Sequence, residues 1–219
     1  LDGARFELRK GEVHGLIGEN GAGKSTLMKI LSGIHTADEG AIYYNGYPIA
    51  YRTPREALDG GICIIHQELN LIPHLSIADN IFIGREYRNG CVLDKKRQIE
   101  EARGFLKEVG LDIDPETRIN QLTVARQQMV EIAKALSYNF NILIMDEPTA
   151  ALAEREINEL FRVIATLAQQ GKAIVYISHR LEELLQITDR ITVMRDGKTI
   201  DTVNTNETDM RAIIDMMVG

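Results

Sequence analysis

Residues 13–26 read VHGLIGENGAGKST, and this stretch decides the fold of the chain. From Gly18 to Ser25 it holds the complete pattern G-x-x-x-x-G-K-S. The apolar residues 13–17 predict a buried strand, and residues 25–32 predict a helix. A strand, a glycine-rich loop and a helix in that order are the context in which the pattern binds phosphate. We therefore interpret the segment as a phosphate-binding loop rather than as a simple turn.

The loop predicts its own chemistry. Its glycines permit backbone conformations in which successive N–H groups point at one phosphate, and the helix N-terminus adds a partial positive charge. Lys24 is expected to reach the β- and γ-phosphates of a nucleotide, and the Ser25 hydroxyl to ligate Mg²⁺. The predicted ATP-binding residues are Gly18, Glu19, Asn20, Gly21, Ala22, Gly23, Lys24, Ser25 and Thr26.

A second segment supplies the carboxylates that such a loop needs. Four apolar residues, 142–145, predict a strand that is followed directly by Asp146 and Glu147. Asp146 at the end of the strand can hold Mg²⁺, and Glu147 is placed to polarise an attacking water. An ordinary strand that ends in a charged turn is the alternative, and the phosphate-binding loop upstream favours the functional interpretation.

The remaining pattern predicts an α/β fold. Residues 61–65 and 173–177 are apolar runs typical of strands that are buried on both faces. Residues 154–170 have apolar positions at helical spacing and precede the second of these strands, which makes a βαβ unit. Residues 190–203 predict a hairpin around an Asp-Gly turn. The charged region of about 75–136 lacks buried-strand runs and predicts an inserted helical subdomain.

Composition narrows the class of protein. The chain has 219 residues and a net charge of −7, which does not support nucleic-acid binding. No apolar run reaches the length of a membrane span, and no secretory signal is visible. Cys63 and Cys91 form neither a disulfide framework nor a zinc spacing. The sequence begins at Leu1 without an initiator methionine, so we expect a fragment of a longer polypeptide.

Five motifs in a fixed order resemble the ATP-binding-cassette ATPase family. After the phosphate-binding loop, Gln67 follows the strand at 62–65, where that family has its glutamine loop. Residues 122–128 (LTVARQQ) fall where the Leu-Ser-Gly-Gly-Gln signature belongs. Residues 146–149 (DEPT) and 177–179 (ISH) match the remaining two motifs. The resemblance covers essentially the whole chain.

The detail is closest to the sugar-importer subgroup, in the stretches 13–29, 65–73, 128–136 and 176–180. The chain looks like the first of two tandem cassettes of a bacterial monosaccharide-import ATPase of the ribose, galactose and xylose type. The resemblance implies a RecA-like α/β core with an antiparallel β-subdomain and an inserted helical subdomain. Residues 1–219 would then be a single nucleotide-binding domain.

The resemblance also implies roles for individual residues. Ser25, Gln67 and Asp146 would surround Mg²⁺, and Glu147 would be the catalytic base. His179 would bond the γ-phosphate and orient the water, and Gln67 would complete the catalytic group. The segment 67–85 would sense nucleotide and touch the membrane subunit. The adenine-stacking aromatic of the family would lie upstream of residue 1, and Phe6 is interpreted as a core residue of a strand.

The signature departs from the family pattern. Thr123 stands for serine, Val124 and Ala125 for the two glycines, and Arg126 for glutamine. In the family this segment closes over the ATP bound by the other cassette, and the Cβ of Ala125 is expected to hinder that approach. Ala153 occupies a position where aspartate is usual. These departures leave the chain's own phosphate-binding loop intact.

The implied partners are a second cassette, integral membrane permease subunits and, indirectly, a periplasmic sugar-binding protein. The implied location is the cytoplasmic face of the inner membrane, as a peripheral subunit. A soluble cassette ATPase that acts on a macromolecule is the alternative, although the long coiled coils or basic linkers of such proteins are missing here. A regulatory nucleotide-binding module is disfavoured by Glu147 and His179, and a phosphate-loop kinase leaves the signature segment unexplained.

Overall fold

The computed structural model describes residues 1–219. Its strands are β1 (Val13–Ile17), β2 (Ile42–Tyr44), β3 (Tyr47–Ile49), β4 (Ile62–Ile65), β5 (Arg88–Asn89), β6 (Val92–Leu93), β7 (Ile142–Asp146), β8 (Ala173–Ile177), β9 (Arg190–Arg195) and β10 (Lys198–Asn204). Its helices are α1 (Lys24–Leu31), α2 (Pro54–Asp59), α3 (Ile77–Phe82), α4 (Lys95–Glu108), α5 (Val124–Leu136), α6 (Glu154–Gln169), α7 (Leu181–Ile187) and α8 (Met210–Val218).

Six strands form one sheet in the order β10-β9-β1-β8-β7-β4. Strands β9, β1, β8 and β7 run parallel, and β10 is antiparallel to β9. Every residue of β1 and β8 is buried, as expected for parallel strands covered on both faces. The predicted α/β class and the four predicted buried strands are confirmed.

The predicted hairpin is β9–β10. Asp196 and Gly197 at its turn have φ angles of 51° and 77°. Positive φ at both central residues matches the right-handed twist of the flanking strands, which is why this dipeptide favours a hairpin. The helix after the phosphate-binding loop begins at Lys24, one residue earlier than predicted.

The chain divides into two compact units. The first comprises residues 1–64, 140–147 and 164–219. Its core includes Leu16, Met28, Ile144, Val175 and Met194, which join the sheet to helix α1. Phe6 lies in a segment without regular secondary structure rather than in a strand, so that part of its interpretation was wrong. It is half-buried, packs against this core, and meets the His14 ring edge-on with centroids 4.7 Å apart.

The second unit comprises residues 65–139 and 148–163. Helices α3, α4 and α5 pack on one another and bury apolar side chains such as Ile77, Ile81, Leu106 and Val130. The short hairpin β5–β6 was not predicted, because its residues are exposed and carry no buried-strand pattern. No helix of the chain is both long enough and apolar enough to cross a membrane.

Candidate functional site

The phosphate-binding loop connects β1 to α1. Gly18 cannot carry a side chain, since a Cβ there would lie 2.2 Å from the carbonyl oxygen of Met194. Gly23 caps α1 with a φ of 100°, a left-handed conformation that favours glycine. Helix α1 begins directly after the loop. The N–H groups of its first turn have no partner within the helix, and N–H groups in this position bind phosphate.

Sheet order brings three strand ends together. In the register of the sheet, Leu16 of β1 pairs with Ile177 of β8, and Ile177 pairs with Asp146 of β7. Neighbouring strands lie about 4.8 Å apart. The loop after β1, the residues after β8 and the carboxylates at the end of β7 therefore lie side by side at one edge of the first unit, where Asp146, Glu147 and His179 are found.

Lys24 is the positive centre of this edge. Its Nζ donates to the carbonyl oxygens of Gly18 at 2.7 Å and of Glu19 at 3.1 Å. Burial lowers the pKa of Lys24, and the negative charges of Glu147 and Asp146 act in the opposite direction. The lysine is thus positioned within the field of both carboxylates, where its charge partly neutralises theirs.

Glu147 and His179 contact each other directly. The distance from His179 Nδ1 to Glu147 Oε1 is 3.0 Å, and both side chains remain accessible to solvent, at 64% and 23% exposure. Glu147 has a φ of 48°, which is uncommon for a residue with a side chain. Its N–H donates to the carbonyl oxygen of Ile177 at 2.9 Å, and this bond holds the unusual backbone in place.

A residue that sequence reasoning missed fixes the loop carrying His179. Glu183, buried in α7, accepts hydrogen bonds from Tyr176 Oη at 2.8 Å and Ser178 Oγ at 3.1 Å, and pairs with Arg180 at 2.6 Å. Ser178 Oγ in turn accepts from the N–H of Arg180. These bonds hold the residues on both sides of His179. The only sequence signal was a glutamate four residues after the histidine, which is too common to single out.

The other predicted site residues lie in the second unit. Gln67 follows β4, and its predicted catalytic and metal-ligating roles stay predictions. Thr123 caps α5, and its side chain accepts from the N–H of Arg126 at 3.4 Å. Ala125 is buried in its own unit at 8% exposure, whereas Val124 is 46% exposed. The side chain that protrudes from the signature in this chain is therefore that of Val124. The expectation that the Cβ of Ala125 hinders the approach to a partner's nucleotide stays a prediction.

Cys63 is buried, Cys91 is exposed, and neither forms a disulfide bond. No group of three or more histidine, cysteine, aspartate or glutamate side chains forms a metal cluster in the chain. A Mg²⁺ ion held by one hydroxyl, one carboxylate and phosphate oxygens needs no such cluster.

Comparison with known proteins gives a consistent family. The sequence profile of the ABC transporter family matches residues 1–150. A ribose import ATP-binding protein, RbsA, of Geobacillus kaustophilus (strain HTA426) is 54% identical over 221 residues, which cover all of this chain. A Burkholderia cenocepacia (strain HI2424) protein provisionally named ribose/galactose/methyl galactoside import ATP-binding protein 2 is 57% identical over the whole chain. The chain spans only 45% and 43% of the lengths of these two relatives.

The fold agrees with solved structures. An ATP-binding cassette of an ABC transporter superposes with a TM-score of 0.87 at 27% identity, covering 100% of this chain and 92% of the other. The ADP conformation of such a cassette superposes with a TM-score of 0.84 at 26% identity, covering 98% of this chain and 90% of the other.

Proposed function

Because the chain belongs to the ABC transporter family, we propose that it is an ATP-binding and ATP-hydrolysing cassette that powers import of a monosaccharide through a membrane transporter. One observation carries the proposal. Lys24, Asp146, Glu147 and His179 converge at one edge of the sheet, beside a loop and helix N-terminus suited to phosphate. The import role follows from the names of relatives that are 54–57% identical over the whole chain.

The chain's own residues would bind the phosphates and activate the attacking water. The N–H groups of the loop and the Lys24 ammonium bind the β- and γ-phosphates, for which Lys24 exchanges its contacts with loop carbonyls for phosphate oxygens. Ser25 and Asp146 would hold Mg²⁺, which neutralises phosphate charge when bound. Glu147 accepts a proton from the attacking water, and His179 orients the Glu147 carboxylate and donates toward the γ-phosphate.

We propose three partners. A second cassette, in the same full-length polypeptide, would complete each ATP site with its signature segment. Integral membrane subunits would receive the conformational change, and this chain would bind them peripherally at the cytoplasmic face. A periplasmic sugar-binding protein would act indirectly. The chain is less than half as long as its relatives, which leaves room in those proteins for a second domain of this size.

The test is reconstitution of the full-length protein with its membrane subunits in lipid vesicles. We expect uptake of labelled ribose or galactose that requires ATP on the cassette side and is lost on Lys24→Ala. ATP turnover that is unaffected by membrane subunits but stimulated by ribosomes or DNA would instead favour the alternative, a cassette ATPase that acts on a macromolecule. Absence of ATP binding would overturn both.

A further inference from the structure

The segment that follows Gln67 is hydrogen-bonded to helix α5 within the second unit. We call residues 68–76 the post-glutamine segment. It has no regular secondary structure, so its backbone N–H and C=O groups need partners outside a helix or sheet. Those partners come from α5, from α3 and from the stretch that leads into the signature.

The first tie is at Asn70. Lys134 of α5 donates from Nζ to the carbonyl oxygen of Asn70 at 3.0 Å. Glu131, one turn earlier on the same helix, faces the backbone of Asn70, which acts to lower the pKa of the Glu131 carboxyl. Residues three apart on a helix lie on one face. One face of α5 therefore presents an ammonium group and a carboxyl group to a single peptide residue, and we call this arrangement the Asn70 clamp.

The second tie is at Ile72. Asn80 of α3 is buried at 1% exposure and accepts from the N–H of Ile72 at 2.6 Å. Its amide nitrogen donates to the carbonyl oxygen of Ile72 at 3.1 Å. A side-chain amide of α3 thus satisfies both backbone groups of residue 72, two residues beyond the contact of Lys134 with Asn70.

The third set of hydrogen bonds joins the post-glutamine segment to residues 119 and 120, just before the signature. The N–H of Asn120 donates to Pro73 O at 2.9 Å, and the N–H of Ile119 donates to Leu75 O at 3.1 Å. Gln127 of α5 then donates from Nε2 to the carbonyl oxygens of Ile119 and Leu122. A continuous set of hydrogen bonds therefore joins the post-glutamine segment to the first turn of α5, which Thr123 caps.

Burial of the Glu131 carboxyl costs folding stability that packing alone does not explain. It is only 7% exposed, and its Oε1 atom has no hydrogen-bond partner. Burial raises the pKa of Glu131, while Lys134, the Asn70 backbone and His66 act in the opposite direction. A buried carboxyl with incomplete partners costs stability relative to an apolar side chain of similar size. Its contact with Asn70 is the feature that an apolar residue would lack.

We propose that Glu131 and Lys134 are positioning residues, which lock the post-glutamine segment to α5 so that Gln67 and the signature residue Thr123 move as one body. A displacement of Gln67 when nucleotide binds is then carried to the signature through the Asn70 clamp rather than absorbed by an irregular loop. The mechanical link stands on the hydrogen bonds alone, and its use in ATP turnover rests on the proposed function.

The test compares variants in the full-length protein assembled with its membrane subunits. Glu131→Ala and Lys134→Met remove the two halves of the clamp. Glu131→Gln and Lys134→Arg retain an acceptor and a donor. Lys107→Met and Glu108→Gln on exposed positions of α4 are matched controls. Hydrogen–deuterium exchange is measured on residues 68–76 and 117–127, together with ATP affinity and the kcat and KM of membrane-stimulated hydrolysis.

We expect exchange to rise about tenfold in both segments for Glu131→Ala and Lys134→Met, since a hydrogen bond to a charged group contributes roughly that factor. kcat should fall several-fold while ATP affinity and KM stay within about twofold. The conservative variants should recover most of both effects, and the controls should behave like the unsubstituted protein. Lys134 is only half-buried, so its variant tests the clamp even if the Glu131 variant folds poorly.

Two results would overturn the inference. Exchange confined to residues 68–76, with 117–127 unchanged, would mean that the segments do not move together. Unchanged exchange in both would mean that the clamp contributes nothing. Failure of the proposed function looks different, because the unsubstituted protein would then show no ATP binding or hydrolysis, whereas the exchange comparison would still report on the clamp.

Discussion

His179 Nδ1 and Glu147 Oε1 lie 3.0 Å apart across two adjacent parallel strands. The contact joins Glu147, the expected base, to His179, the second residue after β8. It forms although Glu147 has a positive φ. We therefore expect the two residues to act as a unit, with Glu147 taking the proton and His179 holding its carboxylate in position.

Glu147→Gln should keep ATP binding and lose hydrolysis by at least about 100-fold, because an amide cannot accept the proton of the water. His179→Ala should cost a comparable factor, and the double variant little more, since groups that act as a unit are not additive. Single-turnover phosphate release by the full transporter measures this. Glu182→Gln, an exposed position on α7, is the control. Additive losses would separate the two roles.

Lys24→Ala should remove most of the affinity for Mg-ATP and leave the fold intact. The variant loses charge-assisted contacts to phosphate, and the hydrogen bonds that Lys24 makes to the carbonyl oxygens of Gly18 and Glu19 can be replaced by water. Titration with a fluorescent ATP analogue, beside thermal unfolding, gives both quantities. Lys29→Ala on the exposed side of the same helix should bind normally. Equal affinities for the two variants would refute the assignment of the loop.

The signature should respond most to a change at Val124. We expect the 219-residue chain to bind ATP, hydrolyse it poorly and stay mainly monomeric, because donors to the γ-phosphate are incomplete without a partner. In the Glu147→Gln background, Val124→Gly should promote ATP-driven dimerisation, since the exposed side chain at that position is removed. Ala125→Gly, at a buried position, should have little such effect and destabilise α5 by up to about 1 kcal/mol.

Size-exclusion chromatography with and without Mg-ATP separates these outcomes. Thr123→Ser serves as the control that retains the capping hydroxyl of α5. A stable dimer and robust hydrolysis in the unsubstituted chain would contradict the expectation that it stays mainly monomeric and hydrolyses ATP poorly. A larger response to Ala125→Gly than to Val124→Gly would support the sequence-based expectation that the Cβ of Ala125 is the obstacle.

Acid should weaken the first unit through Glu12. Burial raises the pKa of Glu12, but hydrogen bonds from His14 and Arg190 outweigh it and bring the pKa from 4.5 to about 2. A carboxyl with a lowered pKa stabilises the fold above pH 4.5 and loses that contribution as the pH falls toward 2. The lowered pKa corresponds to a contribution on the order of 3 kcal/mol before screening by solvent reduces it.

Urea unfolding between pH 7 and pH 2.5 checks this prediction. Glu12→Gln should be less stable than the unsubstituted chain at pH 7, and the difference should shrink toward pH 2.5. Glu39→Gln, at an exposed position in the same unit, should leave the profile unchanged. A Glu12→Gln difference that is constant with pH would mean that packing, rather than charge, explains the effect.

Local signals determined much of this protein. The loop from Gly18 to Ser25 is recognisable because glycine conformations and a lysine at fixed spacing are requirements of phosphate binding itself. The buried strands were predicted because apolar runs of four or five residues are typical of strands that are buried on both faces. The Asp196-Gly197 turn followed from the positive φ that a two-residue hairpin needs at both positions.

Tertiary structure decided what depends on distant neighbours. Which signature side chain protrudes is set by how α5 packs, so the sequence could not distinguish Val124 from Ala125. Glu183 and Glu131 look like ordinary helix glutamates until the fold buries them against Ser178 and Asn70. The sequence alone identifies functional residues when their partners lie next to them along the chain. The role of a buried polar group depends on partners that only the folded chain brings within hydrogen-bond distance.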